Sequence, residues 1–209
     1  MVIVALIIMF AVFILGEWIY LHFREKDLVQ DTHKIKESEI VKERYYHPGH
    51  TWVDLNPEDL TVEIGMDSFT NKVFGQVEKI DFPQKGEIIH QGNPIWKLIR
   101  GNRNLVQVSP MSGKVLDVNS NSFNAENWII KLRPVELQQN LNNLFQGDLV
   151  EKWQAWSKNL FVQRLSNQLS VVYQDGGELR DNLSEEISDA QWEKIQCEFF
   201  YPSYWLGNI

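Results

Sequence analysis

The residues that could do chemistry in this chain are few: five histidines, one cysteine, and a Gly-Asn pair set between arginines. His47-Pro48-Gly49-His50 puts two imidazoles at the ends of a turn, which could open a metal site, but no third ligand accompanies them, so no metal is expected. Cys197 is a lone thiol. It can form no internal disulfide and belongs to no CxxC, which removes stapled secreted scaffolds, structural zinc and iron–sulfur clusters. Between Gln196 and Glu198 on an amphipathic stretch, it reads as an inert packed thiol. GxSxG, P-loop and GxGxxG patterns are absent. Arg100-Gly101-Asn102-Arg103-Asn104 separates two apolar runs and has the residue types of a tight hairpin with positive φ at Gly101-Asn102. Its carboxamide is not a nucleophile. These residues complete no catalytic constellation. The expectation is a protein that is not an enzyme, with no cofactor and no metal.

The elements that would carry those residues differ sharply along the chain. With 20 Lys and Arg against 28 Asp and Glu, a net charge of −8 repels phosphate backbones, and nucleic acid is excluded as a partner. Residues 1–23 begin with sixteen positions lacking any polar side chain, and about 22 residues at helical rise reach roughly 33 Å, the thickness of a hydrocarbon core. No basic residue precedes this run and no small-x-small pattern follows it, so a retained transmembrane helix is expected rather than a cleaved signal peptide. Arg24 and Lys26 follow the span and place the remainder on the cytoplasmic side of a bacterial-type inner membrane. Residues 24–44 are charged with both signs and read as a stalk.

From 45 to 148 the texture is β. Thr51–Leu55 and Leu60–Ile64 alternate around Asn56-Pro57-Glu58-Asp59, a hairpin signal. Asp67 can cap a two-turn helix stopped by Gly75. Further strands are expected at Gln76–Phe82, Glu87–Ile89, Ile95–Ile99, Leu105–Val108, Lys114–Val118 and Trp128–Leu132, with turns at Gly86 and Gly92 and a positive φ at Gly113. Val77, Ile80, Ile95, Leu98, Leu105, Val115 and Ile130 are the core candidates. A helix is expected from Pro134 to Gln146, closed by Gly147. In the extension, residues 149–209, Leu149, Val150, Trp153, Trp156, Leu160 and Phe161 follow helical spacing, Gln168–Tyr173 reads as a strand, and Ser188 opens a capping-box helix through Cys197.

The order HPGHTWV, VEIGMDSFTNKVFGQVEKIDFPQKGEII, SPMSGKVLDVN and NWIIKLRPVEL resembles the H protein of the glycine cleavage system over about half the chain. The resemblance implies a barrel-sandwich hybrid, the fold of lipoyl and biotinyl domains. The expected fold class is therefore mainly β with added helices: an H-protein-like domain at 45–148, one N-terminal transmembrane helix and an α-rich C-terminal extension. It also implies a lipoyl-bearing lysine at a hairpin tip, and counting back from Pro110 that position holds Asn102. Lys97 lies within the preceding strand, and Arg103 is no substrate for lipoylation. The segment Asn119–Asn127 is shorter than the family's loop there.

Two functions follow as expectations. The first is a noncatalytic membrane-anchored accessory, assembly or stabilising subunit of a larger membrane complex. Its bilayer contact would be residues 1–23, and its partner contacts Gly101, Asn102, Arg103, Trp192, Phe199, Phe200, Tyr201, Tyr204 and Trp205. The aromatics of the extension either pack back on the barrel or among themselves, the commoner fate of large apolar side chains, or dock on another subunit, because Trp, Tyr and Phe dominate interface hot spots; docking is the reading taken for the last ten residues. The second is a lipoyl-type carrier modified at a non-standard lysine. An export-machinery adaptor is a poor third, because the five residues Arg100–Asn104 leave no room for inserted helices.

Overall fold

A computed structural model describes residues 44–120, 124–165 and 179–201, with positions 9, 15 and 16. Two antiparallel sheets form the body. The larger runs in the order β1 (Tyr45–His47), β2 (Thr51–Asn56), β3 (Thr61–Met66), β9 (Ile130–Pro134), β8 (Gly113–Val118), β5 (Ile88–Ile89). The smaller pairs β4 (Lys79–Asp81), β6 (Pro94–Arg100) and β7 (Arg103–Val108). All seven expected core residues are buried between them, because alternate positions of short strands face one interior. The mainly β architecture with added helices stands.

Local chemistry explains the joints. Helix α1 (Ser68–Phe74) starts where the Asp67 carboxylate accepts the Thr70 N–H at 2.9 Å, and it ends at Gly75, whose φ of 87° no larger residue holds cheaply. Gly65 has another role. It sits opposite Trp52 across β2 and β3, and a Cβ there would lie 2.2 Å from the indole Cζ2. The ring is further fixed by its Nε1–H donating to the Met66 carbonyl at 2.7 Å and by the Arg44 guanidinium 3.6 Å above its face.

Several expectations are corrected. Gly113 does not take a positive φ; it opens β8 beneath β9, where a Cβ would come within 2.6 Å of the Arg133 carbonyl oxygen. Of Gly101-Asn102 only the glycine has positive φ, 51°. The strand expected over Gln76–Phe82 contracts to Lys79–Asp81. β1 had no expectation attached to it, because three residues show no periodicity. The helix expected from Pro134 to Gln146 is instead α2 (Leu137–Leu141) alone. Pro134 completes β9 opposite Gly113, Glu136 turns the chain at φ 52°, and Phe145 is drawn into a backbone bridge with Tyr46. Tertiary pairing overrides the apolar spacing.

In the extension, α3 (Asp148–Leu165) and α4 (Asp189–Ile195) form, the latter with the capping box of Ser188 and Gln191. A single turn of 3-10 helix (Leu183–Glu185) precedes α4, and a π turn (Gln196–Phe200) follows it. Phe161, Leu165, Leu183, Trp192 and Phe200 share one continuous core with barrel residues Val53, Phe69, Phe74 and Leu98. Cys197 is exposed on the π turn rather than packed. The strand expected at Gln168–Tyr173 and the span expected at 1–23 fall outside the described residues, apart from Met9, Leu15 and Gly16. No helix among the described residues is long and apolar enough to cross a membrane.

Replacing Gly65 by Ala forces the indole of Trp52 out of its place. The expected cost is about 3 kcal/mol, read as a lower urea midpoint with unchanged slope. A midpoint within error of the parent would contradict the packing described.

Candidate functional site

The hairpin between β6 and β7 projects from the small sheet. Its register, Arg100 opposite Arg103, leaves a two-residue loop in which Gly101 and Asn102 are exposed. Ile95, Leu98 and Leu105 point inward as its foundation. Asn102 therefore presents a neutral amide to solvent at the tip, able to donate and accept hydrogen bonds but not to form a covalent adduct by nucleophilic attack. Lys97 is exposed on β6, paired across the sheet with Asp81 and Val106.

Both flanks of this tip are fastened by the extension. Arg100 donates through Nη1 to the Phe74 carbonyl at 3.1 Å and to Asn182 Oδ1 at 3.0 Å, and its Nη2 lies 2.7 Å from Glu185 Oε1. Arg103 reaches Asp189 Oδ1 at 2.7 Å and donates to the Ile187 carbonyl. The Trp192 indole N–H donates to the Asn104 carbonyl at 2.9 Å, and the Gly101 N–H donates to Glu78 Oε2 at 3.0 Å. Trp192 stacks on Phe74 with centroids 6.0 Å apart. The Asp189 side chain is 99% exposed, so its ion pair contributes little. The lasting hold is the apolar packing of Leu183, Ile187 and Trp192, all buried.

A second cluster lies at the other seam between barrel and extension. His50 Nδ1 is 2.6 Å from Asp67 Oδ2, and Nε2 is 2.9 Å from Ser157 Oγ, with all three side chains buried. A carboxylate only accepts, so Nδ1–H donates to Asp67, and Nε2 shares a hydrogen bond with the Ser157 hydroxyl. The order Asp–His–Ser is that of a nucleophilic relay. Access decides against that use. Ser157 is 1% exposed and lies mid-helix in α3, while Phe69, Trp153 and Phe200 surround the imidazole with centroids 4.2, 4.8 and 5.5 Å away. No substrate carbonyl can approach the hydroxyl. The relay works as a polar rivet, and its barrel side is completed by the Gln107 amide, which donates to the carbonyls of Gly49 and His50 at 3.2 and 3.0 Å.

His47 and His50 thus have separate structural tasks, and no group of three or more metal-type ligands occurs among the described residues. The Gly49 N–H donates to His47 Nδ1 at 2.9 Å, which keeps that nitrogen unprotonated, and complete burial followed by repulsion from His50 pushes the ring's pKa down to about 3.

Sequence reasoning located the hairpin but missed this rivet. Asp67 and Ser157 are 17 and 107 residues from His50, and no spacing rule joins them. Trp192, Phe199 and Phe200, expected as partner contacts, are instead 4%, 3% and 0% exposed within the chain's own core. A large aromatic looks the same in sequence whether it is buried in cis or in trans. Tyr201 is half-buried, and Tyr204 and Trp205 lie outside the described residues.

Two outcomes are expected. Ser157→Ala leaves His50 Nε2 without its partner and lowers stability by about 1 to 3 kcal/mol, while a serine-directed fluorophosphonate fails to label the parent chain. Labelling would overturn the sealed geometry. For His47, the unfolded ring titrates near its ordinary 6.5 and the folded ring near 3. The unfolded state binds the extra proton between those values, so stability is full above about pH 6.5 and falls toward pH 3 by about 1.4 kcal/mol per unit. Urea midpoints at pH 7 and 4.5 should differ accordingly, and His47→Asn should flatten the slope.

Residues 44–155 match the family model for the glycine cleavage H-protein. A probable glycine cleavage system H protein of Thermococcus gammatolerans is 25% identical over 129 residues, 57% of this chain and 96% of that protein. The corresponding protein of Pyrococcus furiosus is 27% identical over 123 residues, 54% of this chain and 91% of its own length. A glycine cleavage system H-like protein of Chlamydia trachomatis is 27% identical over 104 residues, 45% of this chain and 88% of that one. A crystal structure of a glycine cleavage system H protein from Mycobacterium marinum is matched with a TM-score of 0.46 and 18% identity, covering 57% of this chain and 99% of that one. With more than half of its length matched in one continuous stretch, the chain belongs to the glycine cleavage H-protein family.

Proposed function

We propose that this chain is a noncatalytic, membrane-anchored member of its family that serves as an accessory, assembly or stabilising subunit of a larger membrane complex. The observation that carries the reading is the exposed Asn102 at the tip of the β6–β7 hairpin, where the resemblance places a lipoyl-bearing lysine. A carboxamide offers a ligase no amine to acylate. The flanking arginines are held by the extension, which suits a fixed contact point better than a moving arm. Gly101, Asn102 and the exposed edge of Arg103 are the proposed partner contact, since a satisfied, rigid tip loses little conformational entropy on docking. The apolar run at 1–23 is the proposed bilayer anchor, with the folded body on the cytoplasmic face.

The alternative is a carrier modified elsewhere, and Lys97 is the lysine of the hairpin strands exposed enough to be considered. It belongs to a paired strand rather than to the loop, where a ligase would need to open β6 from β4 and β7.

Native extraction in mild detergent separates the two. An accessory subunit brings down other membrane proteins in fixed stoichiometry and shows an unmodified intact mass. Asn102→Asp should weaken that association without lowering the melting temperature by more than a few degrees. A clean monomer carrying a lipoyl adduct would sink the proposal.

A further inference from the structure

A cleft of about 1150 Å³ opens where α3 passes α2 and the edge of the barrel. Its floor is made of carboxamides that hold one another. Gln91 Nε2 donates to the Pro110 and Asn140 carbonyls, both at 2.9 Å, and Gln91 Oε1 accepts from Asn143 Nδ2 at 2.8 Å. Asn140, 3% exposed, has its Oδ1 tied to the Ser112 N–H at 2.5 Å. These bonds fix the amides and still leave capacity unused: Asn140 Nδ2, Asn143 Oδ1 and the whole Gln139 amide have no partner among the described residues. Glu136, on the turn before α2, and Lys152, on α3, are exposed and form no ion pair among the described residues, so the cleft offers one carboxylate and one ammonium with no net sign. His90 adds an exposed imidazole, whose neutral ring donates at one nitrogen and accepts at the other. The remaining wall is aromatic. Trp153 is buried and stacks on Phe145 with centroids 5.2 Å apart, whereas Trp156, one turn on, is 58% exposed and makes no ring contact among the described residues.

We propose that the cleft binds a neutral saccharide, with Trp156 as the platform for a sugar ring and Gln139, Asn140, Asn143 and Glu136 as partners for its hydroxyls. An apolar ligand would strand the free amide groups and both charges away from water. A phosphorylated ligand would set its negative charges against Glu136, with Lys152 the one Lys or Arg among the described residues that line the cleft, in a chain whose net charge is already −8. A polycation meets the converse difficulty, since Glu136 alone would answer it beside Lys152. A pyranose meets both walls at once. One face of its ring is a surface of C–H groups that gains dispersion contact on a flat indole, and its edge carries hydroxyls that each donate once and accept twice, a capacity that amides and a carboxylate complement. Because the floor amides are already held in place, little conformational freedom is lost on binding. The volume exceeds the roughly 300–1,000 Å³ usual for small-ligand sites, so more than one ring fits. None of the hairpin residues 100–104 lines the cleft, so the site is independent of the accessory-subunit reading.

Full-length protein in phosphatidylcholine nanodiscs, free of sugar-headed detergent, provides the test. Isothermal titration with maltotriose, cellotriose and triacetylchitotriose should show at least one of them binding with a Kd between about 10 μM and 1 mM. Trp156→Ala should weaken that binding at least about tenfold, and Gln139→Ala several-fold, with melting temperatures within about 2 °C of the parent because both side chains are exposed. Discs that also carry diglucosyl-diacylglycerol separate two sources of the same chemistry: loss of trisaccharide binding assigns a bilayer headgroup, and unchanged binding assigns a free glycan. No binding by any of the three up to about 10 mM, equal affinity in Trp156→Ala, or tighter binding of glucose 6-phosphate than of glucose would overturn the proposal.

Discussion

At His50 a buried imidazole has both of its nitrogens hydrogen-bonded, and those two bonds organise how the two halves of this molecule meet. One nitrogen is answered by Asp67, which also caps α1 through its other oxygen; the second is answered by Ser157 of α3. The apolar surfaces of α3 and the barrel could slide past each other at modest cost, since dispersion and area burial have little directionality. A single Ser–His hydrogen bond inside that interface has a narrow optimum, and missing it would strand two polar groups in a dry site. The rivet therefore fixes the register of the extension on the barrel. It also holds His50 in a left-handed backbone conformation, φ 61°, which a non-glycine residue keeps only when its surroundings over-determine it.

The second junction relies on a different balance. Around the hairpin the charged contacts are numerous but wet: Glu185 is 58% exposed and Asp189 almost wholly so. Such pairs orient more than they stabilise. Burying Leu183, Ile187 and Trp192 removes large apolar side chains from water at roughly 1.5 to 3 kcal/mol each. The arginines set where the extension lies along the hairpin, and the apolar residues keep it there.

The barrel was legible in the sequence because its signals are local. Alternation in Thr51–Leu55 and Leu60–Ile64, the Asp67 cap, and the glycines at 75, 86 and 92 each act within a few residues, and the buried Gly113 and Val115 of β8 follow from period two. Misreadings arose where a distant partner decides. Pro134–Gln146 has helical spacing, yet a backbone bridge to Tyr46 interrupts it. His47 and His50 resemble a metal pair until Asp67, Ser157 and the Gly49 N–H are brought beside them. The reading of Trp192, Phe199 and Phe200 as partner contacts failed for the same reason: composition records that an aromatic needs burial, not which surface supplies it.

Fastening both flanks of the hairpin has a consequence for what the tip can do. Here the Phe74, Asn182 and Glu185 contacts close one side of Arg100, and Ile187, Asp189 and Trp192 close the side of Arg103 and Asn104, leaving Gly101 and Asn102 as the free arc. An arc of two small residues is too narrow to be reshaped without breaking contacts on both sides. In the proposed accessory role, that arc is where one partner docks in one orientation, with the amide of Asn102 donating and accepting hydrogen bonds there.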